Sequence, residues 1–95
     1  SQFVYFFIQH VDRPNSLELR KATREAHLAY AAKFNLLVGG ATLDDETGSM
    51  DGSVIIVDLP DRAALDTFIA EDPYTRAGLF QRTTVKAWKK AIPAG

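Results

Sequence analysis

The run Phe3-Val4-Tyr5-Phe6-Phe7-Ile8 is apolar at odd and even positions alike. A strand with one face in water alternates apolar and polar side chains, so this run needs cover on both faces. Val54-Ile55-Ile56-Val57 makes the same demand. Both runs are rich in the aromatic and β-branched residues that favour strands. A chain of 95 residues forms one domain with a thin core. The number of helices it can lay over such a sheet therefore decides whether the domain works alone.

Two helices are readable. Pro14-Asn15-Ser16 breaks the chain after the first strand. Ser16 or Asn15 can then cap a helix over residues 17–34, a stretch free of Pro and Gly. At about 100° per residue, Leu19, Thr23, Ala26, Tyr30 and Phe34 form its sheet-facing stripe. His27 falls at the edge of the stripe, and Arg20 and Arg24 lie just beyond it. Leu36-Leu37-Val38 reads as a second strand stopped by Gly39-Gly40, and residues 44–52 read as a flexible acidic loop. Residues 54–57 are the third strand.

Asp61 caps a second helix whose inner face is Leu65, Phe68 and Ile69. Asp72-Pro73 interrupts that helix. A short helical turn over residues 74–79 and a last strand over residues 83–88 complete the domain, which spans residues 1–95. The order β-α-β-β-α-β predicts an α+β, ferredoxin-like fold with a four-stranded antiparallel sheet. Two helices cover one face of that sheet. The other face is left as an apolar patch larger than monomers usually carry, which predicts a homodimer.

Composition narrows the function. Eleven Lys and Arg stand against twelve Asp and Glu, for a formal net charge of −1, so nothing draws the chain to nucleic acid or to an anionic membrane. The longest apolar run is too short to cross a bilayer. No leader is readable ahead of it, and Ser1 reads as a processing or cloning remnant, so the expected location is cytoplasmic. The chain has no cysteine, which removes disulfides, thiolate metal sites and a cysteine nucleophile. No phosphate-cradling glycine loop, metal-ligand cluster or nucleophile elbow is present. The residues 44–52 lack calcium-loop spacing. No metal and no organic cofactor is expected.

Chemistry-bearing residues are few. His10, at the end of the first strand, reads as a polar loop residue. His27, on the sheet side of the first helix and one turn from Arg24, can act as an acid or base near neutral pH or simply pack with one satisfied hydrogen bond. Asp72 before Pro73 is a standard helix cap. It also lies seven residues after Leu65 on the inner helix face, where a carboxylate could orient His27. The two roles are compatible. Arg24 can clamp an anion or sit in solvent. Ser53 can donate into a cleft or merely open the third strand. Gly40 can admit a ligand to the backbone or make a turn. Tyr74 and Trp88 read as core or interface residues.

Five motifs occur in order: Arg24-x-x-His27-Leu28; Gly39-Gly40 ending a strand; Gly52-Ser53 opening the next; Asp72-Pro73-Tyr74 with Ala77-Gly78-Leu79; and Val85-Lys86-Ala87-Trp88-Lys89-Lys90. Together they resemble the YCII-related (YciI-like) family of dimeric α/β-barrel proteins, over nearly the whole chain. The resemblance implies a ferredoxin-like dimer with a histidine–aspartate active site, here His27 and Asp72, with Arg24 and Ser53 beside it. A related member acts as a dehydrochlorinase in chlorinated-aromatic breakdown, and the wider superfamily includes muconolactone isomerases and small monooxygenases. Two departures stand near the expected cleft. The family often has Gly-Pro where this chain has Gly40-Ala41, and Pro-Phe or Pro-Trp where it has Ala87-Trp88.

The leading expectation is an acid–base enzyme, isomerase-, lyase- or dehydrochlorinase-like, acting on a small anionic or aromatic metabolite. His27 and Asp72 would be catalytic, and Arg24, Ser53, Gly40 and Tyr74 would bind substrate. A non-catalytic metabolite- or partner-binding dimer and a cofactor-free oxygenase are the rival readings.

Overall fold

The computed structural model describes residues 2–95. The order is β1 (Val4–Asp12), α1 (Leu17–Ala31), β2 (Asn35–Leu43), β3 (Met50–Leu59), α2 (Arg62–Glu71), α3 (Pro73–Arg76) and β4 (Phe80–Trp88). The strands form one sheet in the order β2-β3-β1-β4, with every neighbouring pair antiparallel. This is the expected α+β, ferredoxin-like arrangement, and the helical turn expected over residues 74–79 is α3, which runs from Pro73 to Arg76.

The register sorts the strand residues into two faces. Phe6 pairs with Val57, Ile8 with Ile55 and His10 with Ser53. These residues face the helices. Phe6, Ile8, Ile55, Val57, Leu59, Leu65 and Phe68 form the buried core, with Tyr30, Phe34, Leu36 and Val85 packed at its margin. Burying such side chains stabilises the fold by roughly 1.5–3 kcal/mol each before entropy is counted. The alternate positions Tyr5, Phe7, Val38, Val54, Ile56 and Trp88 share the opposite face, where Val38 is 53% exposed and the Tyr5 and Trp88 rings meet edge to face. No helix among the described residues covers that face. The greasy front and back of β1 and β3 therefore correspond to two environments, one filled within the chain and one open.

Several expectations shift in detail. β2 does not stop at Gly39-Gly40 but runs through them, pairing Gly39 with Ile55 and Gly40 with Val54. The turn sits later, where Asp44 accepts from the Glu46 and Thr47 amides at 2.9 Å and Gly48 takes a φ of 74°. The acidic segment is thus a hydrogen-bonded hairpin turn rather than a loose loop, and β3 starts before it was expected to, at Met50. Helix α1 ends at Ala31. Ser16 occupies its N-cap position, but its hydroxyl donates to the Pro14 carbonyl and caps no helix amide. Asp61 and Asp72 do cap their helices, accepting from the Ala64 and Tyr74 amides at 2.9 Å.

The phase of α1 also differs. Arg20, Thr23, His27, Tyr30, Ala31 and Phe34 turn inward, whereas Ala26 is exposed. His27 therefore lies on the sheet side proper, not at its edge. His10 is a correction of another kind. It is not a loop residue but part of β1, 1% exposed.

Candidate active site

Along β1 the inward residues change character, from Phe6 and Ile8 to His10 and Asp12. Antiparallel β3 does the same in reverse, from Val57 and Ile55 to Ser53. One end of the sheet–helix interface is thus a hydrocarbon core and the other is polar. A cleft of about 250 Å³ opens over the polar end, lined among others by Arg20, Arg24, His27, Gly39, Ser53 and Tyr74.

Asp72 organises the cleft. Its Oδ1 accepts from the Tyr74 amide at 2.9 Å, which starts α3, and pairs with His27 Nδ1, also at 2.9 Å. The helix cap and the histidine partner are one atom. A carboxylate only accepts, so Nδ1 carries the proton and Nε2, across the ring, keeps its lone pair in the neutral imidazole. Asp72 is 1% exposed and the His27 side chain 12%, so the pair is shielded from water but reachable at the ring. The Tyr74 ring stacks on His27 at 4.1 Å and 19° and fixes its plane. Burial raises the Tyr74 phenol above its ordinary value, against the pull of Arg20 and Arg24, so it stays neutral.

A second polar unit lies beside the first. Arg20 Nε and Nη2 bond the two Asp12 carboxylate oxygens at 2.7 and 3.0 Å, and Nη2 also donates to Ser53 Oγ at 2.8 Å. The Arg20 guanidinium lies 4.8 Å from the centre of the Tyr74 ring. A bidentate fork of this type is the strong form of the arginine–carboxylate contact. Arg24, one turn on, lines the cleft from an exposed position with no carboxylate partner among the described residues.

His10 sits behind these groups. Its ring stacks on Phe80 at 3.7 Å, and Nδ1 meets Thr83 Oγ1 at 2.7 Å. Burial pushes its pKa down to about 4, only partly offset by Asp72. At neutral pH it is an uncharged core residue.

Of the residues singled out from sequence, His27, Asp72, Arg24, Ser53 and Tyr74 gather around this cleft. Gly40 lines it with its backbone, but the register turns the Gly40 substituent position toward the open sheet face and that of Gly39 toward the cleft. A Cβ on Gly39 would rest 3.8 Å from Ile55, in space otherwise left free. Arg20 and Asp12 were missed. Their signal was the spacing of seven between Arg20 and His27, which places both on one helix face. Among the described residues, no cluster of His, Asp and Glu has the arrangement to hold a metal ion.

The model of the YCII-related domain matches residues 4–89. The chain belongs to the YCII-related family. A protein of Haemophilus influenzae is 38% identical to this YCII-related chain over 98 residues, spanning 94% of this chain and 100% of that protein. Protein YciI of Escherichia coli is 30% identical over 96 residues, spanning 92% of this chain and 98% of YciI. Among solved structures, 5-chloro-2-hydroxyhydroquinone dehydrochlorinase (TftG) from Burkholderia phenoliruptrix AC1100, in complex with 2,5-dihydroxybenzoquinone, is 39% identical. It superposes with a TM-score of 0.87 over 92% of this chain and 95% of that one. The YCII-related chain is thus similar over 92% of its length to a protein whose structure holds a small molecule. No helix among its described residues is long and apolar enough to cross a membrane.

Proposed function

We propose that this chain is an acid–base enzyme that eliminates from, or isomerises, a small oxygen-rich anionic ring, with His27 as the proton carrier. The carrying observation is the His27–Asp72 pair at 2.9 Å in a cleft that Arg24, with no carboxylate partner among the described residues, also lines. The similarity to TftG supports a hydroxylated, halogenated arene as the substrate class. For 5-chloro-2-hydroxyhydroquinone the bookkeeping is simple. Nε2 takes a hydroxyl proton, and the electron pair left on oxygen moves into the ring. The ring carbon bearing chlorine accepts a proton. A second hydroxyl proton then leaves as the carbon–chlorine bond breaks, giving a hydroxyquinone, chloride and one net proton. Asp72 orients the imidazole and stabilises its cation. Arg24 and Ser53 hold the developing oxyanion, Tyr74 walls the ring, and the Gly39-Gly40 backbone leaves room for it.

The working unit is a homodimer in this proposal. Phe7, Val54 and Trp88, half-buried, and Val38, exposed, line an apolar face that no helix among the described residues covers, and a second copy buries it at the cost of association entropy. Light scattering at micromolar concentration should give twice the chain mass; a stable monomer refutes this part.

The test of function is chloride release from chlorinated hydroxyhydroquinones, followed with an ion electrode and by oxygen uptake. His27→Ala should lower turnover by about 10²–10⁴-fold. Unchanged turnover in that variant, oxygen uptake matching product, or tight binding with the compound recovered intact each defeats the proposal.

A further inference from the structure

Ser53 has one hydroxyl proton and a fixed neighbour. Arg20 Nη2 donates to Ser53 Oγ at 2.8 Å, and a guanidinium accepts nothing. The Ser53 proton cannot point back along that bond. Among the described residues no acceptor takes it, although Ser53 is only 3% exposed. Arg20 in turn cannot swing away, because Asp12 grips Nε and Nη2 from the other side and the side-chain pair is 4% and 5% exposed. A hydroxyl usually rotates to give or accept as its partner requires. Here Arg20 holds one of the two lone pairs, so the proton is turned away from Arg20 and left to be given, and the open direction is the cleft that Ser53 lines.

Resting on the acid–base reading above, we propose that Arg20 is a positioning residue that locks Ser53 as a hydrogen-bond donor into the cleft, so the site selects ligands presenting a deprotonated or carbonyl oxygen there. Asp12 is the strut that holds Arg20 in place. An ionised oxygen receives a short, charge-assisted bond from the Ser53 hydroxyl, whereas a neutral phenol oxygen at the same point accepts the same proton only weakly. The lock also serves the reaction. As a phenol loses its proton to His27, the acceptor strength of its oxygen rises, and the Ser53 proton already points at it. The substrate class narrows accordingly to rings whose oxygen at Ser53 enters as a phenolate, enolate or quinone carbonyl, or becomes ionised when His27 takes its proton, against rings that keep a neutral phenol there.

The experiment is titration calorimetry at pH 7.5 with two probes of one shape: 2,5-dihydroxybenzoquinone, which is ionised, and 1,2,4,5-tetrahydroxybenzene, which is neutral, handled without oxygen. Ser53→Ala should weaken the quinone by about 10- to 100-fold and the neutral probe by less than about threefold. Arg20→Lys keeps the charge beside Asp12 but cannot span to Ser53, and should lose the same discrimination. The double variant should be no worse than either single one, because Arg20 acts through Ser53. Additive losses, or equal losses on both probes, overturn the positioning role. Quinone binding by Ser53→Ala at native strength overturns this inference alone, since chloride release by His27 is read separately. If neither probe binds the native protein at millimolar concentration, both this inference and the proposed ligand class fall. Should Arg20→Lys not fold, neutron diffraction from the native protein decides. Deuterium on Ser53 Oγ directed into the cleft supports the lock, and deuterium directed at a backbone carbonyl refutes it.

Discussion

Acidification from pH 7 to pH 5 should remove about 2 kcal/mol of stability through His10 alone. The ring is 1% exposed, stacked on Phe80 and hydrogen-bonded to Thr83, and burial lowers its pKa from 6.5 to about 4. Burial is the largest cause and lowers the value; among the charges facing the ring, Asp72 and Asp12 pull it up and His27 and Arg20 push it down. The sign follows from proton binding. Between pH 6.5 and pH 4 the unfolded chain holds a proton on His10 that the folded chain does not, so acid favours unfolding. The stabilisation is whole above about 6.5 and is lost as pH falls toward about 4, amounting in full to about 3 kcal/mol. Urea titrations of the native chain and of His10→Gln at pH 7, 6 and 5 isolate the effect. Glutamine costs something at every pH, but the variant should lack the extra acid slope, and carboxylate contributions cancel in the comparison. If the two chains lose stability in parallel, His10 is not a buried neutral histidine and the description of the polar end of the core is wrong.

Three further outcomes follow from the same geometry. Asp72→Asn leaves an acceptor for the Tyr74 amide but no charge for His27, so turnover should drop by roughly 10²-fold or more while the melting temperature moves only a few degrees; native turnover would remove Asp72 from the mechanism. Gly52→Ala places a Cβ against the His10 carbonyl and 2.7 Å from Thr42 Oγ1, so the β1–β3 register should yield about 1–3 kcal/mol of stability, read as a lower urea midpoint at unchanged slope. Gly39→Val suits an extended strand and meets no serious contact, so the chain should fold at least as well, yet its side chain enters the cleft and should weaken 2,5-dihydroxybenzoquinone by about tenfold or more. Native affinity in that variant would place the ligand elsewhere.

The His27–Asp72 contact was legible because two independent local rules converge on it. Asp72 before Pro73 caps a helix whatever else it does, and the rule fixes the carboxylate in space; the helical period brings His27 to the same side. The strands and their order were legible from apolar runs and breakers. What misled was the habit of treating glycine as punctuation and charge as surface. Gly39-Gly40 looked like a stop, but β2 has its neighbour β3 to pair with, and pairing satisfies the backbone whether or not side chains are present. The phase of α1 was drawn through Leu19 and Ala26 because those are apolar, when the inward positions include Arg20 and His27.

The misplaced phase of α1 and the misreading of His10 share one cause. The inward face of this domain is not apolar throughout, because one end of it carries buried polar residues bonded to one another. A buried arginine is affordable only where a carboxylate meets it in two places, and Asp12 does so from a strand eight residues away in sequence. A buried histidine is tolerable only when neutral and bonded, which is the state of His10 against Thr83. Periodicity cannot detect such pairs, since each member alone resembles a surface residue. The converse is usable: when an apolar stripe fits a helix poorly and a charged residue stands seven positions from a histidine, the stripe should be redrawn through the charged pair. In this chain the redrawn stripe runs Arg20, Thr23, His27, Ala31 and Phe34. It passes from the floor of the cleft to the edge of the core without a break.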